Sequence, residues 1–359
     1  MSLQLTSAGT VASASSATRF ELRQIYLLLT RQCNLTCSHC IRSSTPFYRE
    51  MMETQLAMHI LQELHAINHR ATLLVSGGEP TLHPEFKQIV TAGLEYFDCV
   101  VVNSNGLRLA PLLEACSCPS ASIQISIDGD EVAHDSMRGS GTFTKTIANI
   151  NKLADHGIPV TIATTVTQNN VDSIHRLDSV LENIKFTRWN VKRVVGSGRA
   201  SDTDDITTFD WNRLVSGLRQ SAKNIDRLRI SFMFSDEGIR AASSSSFFAT
   251  TDMANANCGT GRSKLYVNPD GTVYPCACME SQIVGSFASQ SAHEILQALG
   301  NLEIEPSPNA VCRLCPAWKF CRGGCPGAAM RTIAPTLGDP RCPLAIAGRY
   351  DAGVGDASR

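Results

Sequence analysis

IYLLLTRQCNLTCSHC, running from Ile25 to Cys40, joins a short apolar run to three cysteines spaced C-x-x-x-C-x-x-C. The first part, Ile25 to Thr30, predicts a β-strand. Cys33, Cys37 and Cys40 then stand where a parallel α/β sheet delivers functional side chains, at the carboxyl end of a strand. Three thiolates so close together can take three corners of a 4Fe-4S cubane and leave the fourth iron without a protein ligand. An open iron is what a chelating substrate needs, whereas a structural metal site normally closes its shell. The competing reading is a zinc site of three cysteines completed by His39.

Outward from this loop, short apolar runs alternate with segments of helical period as far as Val195. The expected strands are Ile25 to Thr30, Thr72 to Val75, Cys99 to Asn103, Ile123 to Ile127, Val160 to Val166 and Thr187 to Val195. Between them the apolar positions fall on helical faces: Leu56, Ile60, Leu64 and Ile67; Phe86, Val90 and Leu94; Phe143, Ile147, Ile150 and Ala154; Ile174, Leu177, Leu181 and Ile184. The helix near Leu107 to Cys116 has the weakest pattern. Repeated βα units of this kind predict an α/β fold, a partial (β/α)6 TIM-like barrel open at its side. A connecting region follows, with a helix through Trp211, Leu214, Leu218 and Ile225, a strand from Leu228 to Phe234 and a link at Ala241 to Ser246. From Cys258 the chain turns rich in Cys, Gly and Pro, with a hairpin signal at Asn268-Pro269-Asp270-Gly271.

Bulk composition narrows the function. The 359 residues, 43% hydrophobic, are enough for a barrel and a smaller second unit. A net charge of -1 without a long basic run argues against a nucleic-acid partner. No apolar run reaches the length of a membrane span, and the segment before Arg19 fits neither a signal nor a transit peptide, so no membrane partner and a cytoplasmic location are expected. Without a secretory signal, 14 cysteines point to metal rather than to disulfides.

The three-cysteine loop resembles the signature of the radical S-adenosylmethionine superfamily, with His39 where the family usually has an aromatic residue. In that family the open iron binds the amino and carboxylate groups of S-adenosylmethionine. Ser76-Gly77-Gly78-Glu79-Pro80 is similar to the family's GGEP motif, which contacts the methionyl amine, and the resemblance puts Gly77, Gly78, Glu79 and Pro80 at the cofactor. Asn103-Ser104-Asn105-Gly106 and Ser126-Ile127-Asp128-Gly129 resemble the ribose-contacting strand ends, with Asn103, Asn105, Ser126 and Asp128 as candidates and Ser126 preferred. Arg138, in His134-Asp135-Ser136-Met137-Arg138-Gly139, is the candidate for the methionyl carboxylate, through a charge-assisted bond; a solvated loop arginine is the alternative. Gly198-Arg199-Ala200 also looks familial.

The later cysteines resemble the SPASM extension of the same superfamily, spacing for spacing. The resemblance implies that Cys258, Cys276 and Cys325 hold a first auxiliary 4Fe-4S cluster, and Cys312, Cys315, Cys321 and Cys342 a second. That makes three clusters with S-adenosylmethionine as the further cofactor. The first auxiliary cluster is either open at one iron or closed by Cys278, which is also the one candidate for a catalytic thiol. Zinc ribbons are the alternative for paired C-x-x-C knuckles. Cys99, Cys116 and Cys118 fit no cluster and read as buried small hydrophobes. The expected division is an arm at 1–20, a radical barrel at 21–205, a connection at 206–250, a SPASM domain at 251–345 and a tail at 346–359.

What the resemblance implies for activity is reductive cleavage of S-adenosylmethionine and hydrogen abstraction from a peptide residue, giving an oxidative change or cross-link in a ribosomally made precursor. The expected partners are that precursor peptide, a flavodoxin- or ferredoxin-type electron donor, and a separate leader-peptide-binding protein, since few residues precede the first strand. The alternatives are an anaerobic sulfatase-type maturase and a dehydrogenase or epimerase of an aminosugar or tetrapyrrole. The first is disfavoured because Ala277 stands where those maturases place an acidic base. A redox sensor that binds S-adenosylmethionine without cleaving it is the non-enzymatic reading. Asp236, Glu237 and Arg240 read as a solvated charge cluster.

Overall fold

The computed structural model describes residues 20–230, 258–304, 312, 314–315, 318–331 and 338–342. The arm before Phe20, residues 231–234 of the expected strand from Leu228, the link at Ala241 to Ser246, the cluster Asp236, Glu237 and Arg240, and the tail at 346–359 lie outside them.

Seven parallel strands run in chain order, β1 (Gln24–Leu28), β2 (Thr72–Ser76), β3 (Cys99–Ser104), β4 (Ala121–Ser126), β5 (Val160–Val166), β6 (Arg188–Arg193) and β7 (Leu228–Ile230). Helices α1 (Thr54–Asn68), α2 (Phe86–Tyr96), α3 (Leu109–Ala115), α4 (Glu131–Arg138), α5 (Thr142–Asp155), α6 (Ile174–Leu181) and α7 (Thr208–Ser221) fill the connections. Alternation along the strands sets which face is covered. Ile25 and Leu27, Leu73 and Val75, Val100 and Val102, Ile123 and Ile125, Trp189 and Val191 point outward into one core with Ile60, Leu61, Leu64, Ile89 and Val90 of the helices. The opposite residues, among them Tyr26, Leu74, Asn103, Gln124, Ala163 and Asn190, stay half-buried and line the inside. On α1 the buried stripe is Ala57, Ile60, Leu61 and Leu64, which leaves Ile67 at the surface.

Two extensions go beyond six βα units. β7 adds to β6, with Trp189 opposite Leu228. On the other edge the Cys-rich segment supplies β8 (Lys264–Val267), parallel to β1 with Gln24 opposite Lys264 and Tyr26 opposite Tyr266. β9 (Thr272–Tyr274) and β10 (Gly285–Ser286) continue antiparallel, giving the order β10-β9-β8-β1-β2-β3-β4-β5-β6-β7. The Cys-rich segment therefore shares the barrel's sheet and pairs the edge of β1. The β8–β9 turn is the expected Asn268-to-Gly271 hairpin, with Gly271 donating to the Asn268 carbonyl at 2.9 Å and taking φ of 81°. α8 (Ala292–Gly300), with a capping box between Ser291 and Glu294, packs against α1. α9 (Trp318–Cys321) and α10 (Pro326–Ala329) are single turns between the last cysteines. Among the described residues, no helix is long and apolar enough to cross a membrane.

Candidate functional site

The cysteine loop leaves β1 and is held by backbone on two sides. Gly78 N donates to Thr30 O at 2.7 Å and Glu79 N to Gln32 O at 2.9 Å, so the turn after β2 lies against the chain entering the loop. Any side chain would break this contact, because a Cβ on Gly78 would stand 2.2 Å from Gln32 O and one on Gly77 2.4 Å from Thr30 O. From the far side Gly198 presses on the loop, its would-be Cβ 2.3 Å from Cys40 O. Arg199 then ties the loop by three bonds: its N to Cys40 O at 3.0 Å, its Nε to Cys37 O at 2.8 Å and its Nη2 to Ser44 O at 2.8 Å.

Burial pushes the Cys33 thiol up to about 12 and raises Cys37 as well, so these sulfurs carry charge only when a cation is beside them. Arg138 supplies part of that charge, its Nη1 lying 3.7 Å from Cys37 Sγ. Among the described residues no three His, Cys, Asp or Glu side chains converge on a single-ion site, so fit to a metal group rests on the donors. Three soft thiols on one clamped loop, with cationic side chains behind them, are a donor set for an iron–sulfur cluster.

Behind the loop lies a buried ionic group. Asp128 Oδ2 accepts from Arg138 Nε at 2.6 Å and sits 3.0 Å from His39 Nε2, while Oδ1 accepts from Thr165 N at 2.8 Å. Burial opposes the charge on Asp128 most strongly, yet Arg138 and His39 together hold its carboxyl well below the usual aspartate range. Arg138 is thus engaged with Asp128 and largely buried, not a solvated loop arginine. Glu79 is likewise held within the protein. Its carboxylate is wholly buried and accepts from Thr81 Oγ1 at 2.7 Å, Ser104 Oγ at 3.0 Å and Asn105 N at 2.8 Å. It ties the ends of β2 and β3 together, and burial raises its pKa.

Asn105 Nδ2 bonds Asn34 Oδ1 at 2.8 Å and approaches Cys33 Sγ at 4.0 Å. Asn103 Oδ1 accepts from Gln124 Nε2 at 3.0 Å, and Gln124 Oε1 meets Asn190 Nδ2 at 3.4 Å, so an amide ladder crosses the inner face. Ser126 stands half-buried at the end of β4, on the same face as Gln124. Pro80 is buried at the start of a single 3-10 turn.

The C-terminal cysteines gather in two sets. Cys278 contacts both Cys276 and Cys325, which depresses the pKa of those two thiols and raises its own. Gly327 permits this packing, since a Cβ there would stand 2.5 Å from Cys278 Cβ. Cys258 bonds Thr260 Oγ1 at 3.1 Å and, with Cys276 and Cys325, raises the pKa of Lys264 against the effect of its burial. The second set is visible at Cys321, pushed up to about 12 by burial and then by Cys342, Asp339, Cys312 and Cys315. Asp339 joins the sets by accepting from Cys325 N at 2.9 Å and from Arg341, whose Nη1 reaches Val194 O after β6 at 3.0 Å. Of the three cysteines expected to be buried small hydrophobes, Cys116 is fully buried, whereas Cys118 is half-buried against the core and Cys99 half-buried at the start of β3.

Sequence reasoning missed Arg42, two residues beyond Cys40. Its guanidinium bonds Tyr274 Oη, Asn268 Oδ1 at 2.6 Å and Glu280 Oε1 at 3.2 Å, joining the cysteine loop to the β8–β9 hairpin. Beside it Tyr26 stacks on Tyr266 at 4.1 Å between centroids and Tyr266 on Tyr274 at 5.7 Å. No local signal could have found a pairing across 226 residues.

Residues 27–182 match the family model of the Radical SAM superfamily, and residues 258–316 that of the SPASM iron-sulfur cluster-binding domain. The chain is 29% identical to mycofactocin maturase MftC of Mycolicibacterium smegmatis, over 88% of this chain and 81% of that protein. It is 31% identical to the sporulation killing factor maturation protein SkfB of Bacillus subtilis, over 75% of this chain and 63% of that one. The solved structure of Streptococcus suis SuiB bound to precursor peptide SuiA superposes with a TM-score of 0.74 at 16% identity, covering 91% of this chain and 76% of that one, a likeness of fold.

Proposed function

Because this chain belongs to the radical S-adenosylmethionine superfamily and carries its SPASM iron–sulfur domain, we propose that its substrate is a peptide, modified by hydrogen abstraction. The observation that carries the reading is the likeness to mycofactocin maturase MftC along 88% of the chain, together with the fold shared with SuiB bound to its precursor peptide. The polar inner face supports it, since an amide ladder offers both donors and acceptors to a peptide backbone.

In this reading Cys33, Cys37 and Cys40 hold the first of three 4Fe-4S clusters. Cys258, Cys276 and Cys325, with Cys278 as fourth ligand, hold the second, and Cys312, Cys315, Cys321 and Cys342 the third. When bound, the first cluster supplies the electron for cleavage of S-adenosylmethionine, the source of the 5'-deoxyadenosyl radical. The protein's own part is positioning. Gly78, Gly198 and Arg199 fix the cysteine loop by backbone contacts. Gly77, Pro80, Asn103, Asn105 and Ser126 border the cofactor, while Glu79, Asp128 and Arg138 brace that border from behind. Arg138 keeps a positive charge beside Cys37. A flavodoxin- or ferredoxin-type protein delivers the electron, and a separate leader-binding protein presents the peptide.

The test is to incubate the anaerobically reconstituted enzyme, S-adenosylmethionine and dithionite with each short peptide encoded beside its gene. The reading expects one peptide to lose two hydrogens in mass as 5'-deoxyadenosine accumulates. Turnover confined to an aminosugar or a tetrapyrrole would overturn it.

A further inference from the structure

Cys40 opens a tight turn, in which Ser43 N donates to Cys40 O at 3.1 Å and Ser43 takes φ of 51°. Among the described residues only Ser43 and Arg322 are non-glycine residues in that left-handed region, and a serine stays there only where its surroundings hold it. Arg42, the residue before, supplies the hold. The turn carries Arg42 away from the cysteine loop and into the β8–β9 hairpin, where its side chain is 6% exposed. There Nη1 donates to Tyr274 Oη and Nη2 to Asn268 Oδ1 at 2.6 Å, with Glu280 Oε1 3.2 Å away. Tyr274 Oη in turn donates to Asn268 Oδ1 at 3.0 Å. Arg31 completes the clasp, its Nη1 3.5 Å from Glu280 Oε1 and its Nη2 donating to Arg42 O at 3.4 Å.

The groups that grip Arg42 bracket two cysteines. Tyr274 ends β9, Cys276 and Cys278 follow, and Glu280 closes the single 3-10 turn Ala277–Met279. At the other end of the clasp, Cys33 and Cys37 are buried while Cys40 is half-buried, so the placement of Cys40 rests more on backbone ties than on packing. A guanidinium suits the task, because its planar fork meets several acceptors in fixed directions and keeps its charge.

We propose that Arg42 is a positioning residue through which the Cys276–Cys278 turn controls the placement of Cys40. The cysteine loop holds its working geometry only while the hairpin is closed on the guanidinium, and radical formation therefore depends on an assembled auxiliary domain. This inference rests on the assignment of both cysteine sets to clusters and deepens it.

The experiment is hydrogen exchange read by mass spectrometry on the reconstituted holoenzyme, at residues 40–45. Arg42→Met should speed exchange there about tenfold or more, the factor carried by a hydrogen bond to a charged group, while β2 and β3 keep their protection. Tyr274→Phe removes one hydroxyl and keeps the ring stack; it should act in the same direction by less. Arg42→Lys should recover only part of the protection, for want of the fork. Cys276→Ala should loosen the same segment in the unaltered background and add nothing in Arg42→Met. The electron paramagnetic resonance signal that responds to S-adenosylmethionine should shift in each loosened variant, which a contact that only stabilises the fold would not produce. Unchanged protection at 40–45 in both Arg42→Met and Tyr274→Phe would overturn the inference, as would an effect of Cys276→Ala that is equal with and without Arg42. Labile sulfide is read separately: its absence would strike the cluster reading, while the exchange rates would still decide the role of Arg42.

Discussion

Arg138 Nε lies 2.6 Å from Asp128 Oδ2 in the protein interior, and Asp128 has no exposed surface. A pair this deep matters more when broken than when present, because either charge left alone would be buried and uncompensated. Asp128→Asn should therefore lower stability by about 3–5 kcal/mol. Replacing both, as Asp128→Asn with Arg138→Met, should recover part of the loss. Urea unfolding of the cluster-free chains measures both; a single variant within about 1 kcal/mol of the unaltered chain would contradict the account.

His134 sets a pH dependence of known sign. Burial, then the charge of Arg138, lowers its pKa to about 4, and its Nδ1 accepts from Asp128 N at 3.2 Å. The folded chain keeps this imidazole neutral while the unfolded chain protonates it near pH ~6.5. Between those values the unfolded state binds the extra proton, so stability falls as pH drops from about 6.5 toward 4 and is level above. The contribution is on the order of 2–3 kcal/mol across the window. His134→Asn, which keeps an acceptor, should flatten the difference curve, and parallel curves for the two chains would refute it.

Gly78→Ala should uncouple the cysteine loop from the barrel. The methyl group would fall 2.2 Å from Gln32 O, a backbone atom that cannot step aside without moving the run toward Cys33. Reconstituted protein should lose about four irons, one cubane's worth, with its far-ultraviolet circular dichroism preserved. Full iron content would show that the close approach is not needed.

Cys278→Ala asks whether the thiol between Cys276 and Cys325 is a ligand. As a fourth ligand to the first auxiliary cluster, its loss should deplete or alter that cluster, seen in iron content and in the electron paramagnetic resonance of the reduced protein. Cys278→Ser should retain more iron than Cys278→Ala. Unchanged iron and spectra in both would make Cys278 a bystander.

Local chemistry was legible in the sequence, and long-range placement was not. Val160–Val166 alternates cleanly and forms β5 as expected, while β4 begins at Ala121, two residues ahead of the expected Ile123, where the apolar pattern is broken by Ser122. The cysteine loop stood out because its three thiols lie within eight residues and their spacing is itself the signal. The partners of Glu79 could not be read, because Ser104 Oγ and Asn105 N belong to the end of the next strand. The pairing of β8 with β1 was equally hidden, since an edge strand carries no mark of its distant partner.

The most direct measurement of the central claim is 5'-deoxyadenosine formed from S-adenosylmethionine under dithionite, by the reconstituted enzyme and by a variant carrying Cys33→Ala, Cys37→Ala and Cys40→Ala. The account predicts release by the first and none by the second, with bound iron falling from about twelve to about eight per chain at four irons per cubane. Zinc without labile sulfide in the unaltered protein, or release undiminished in the variant, would contradict it.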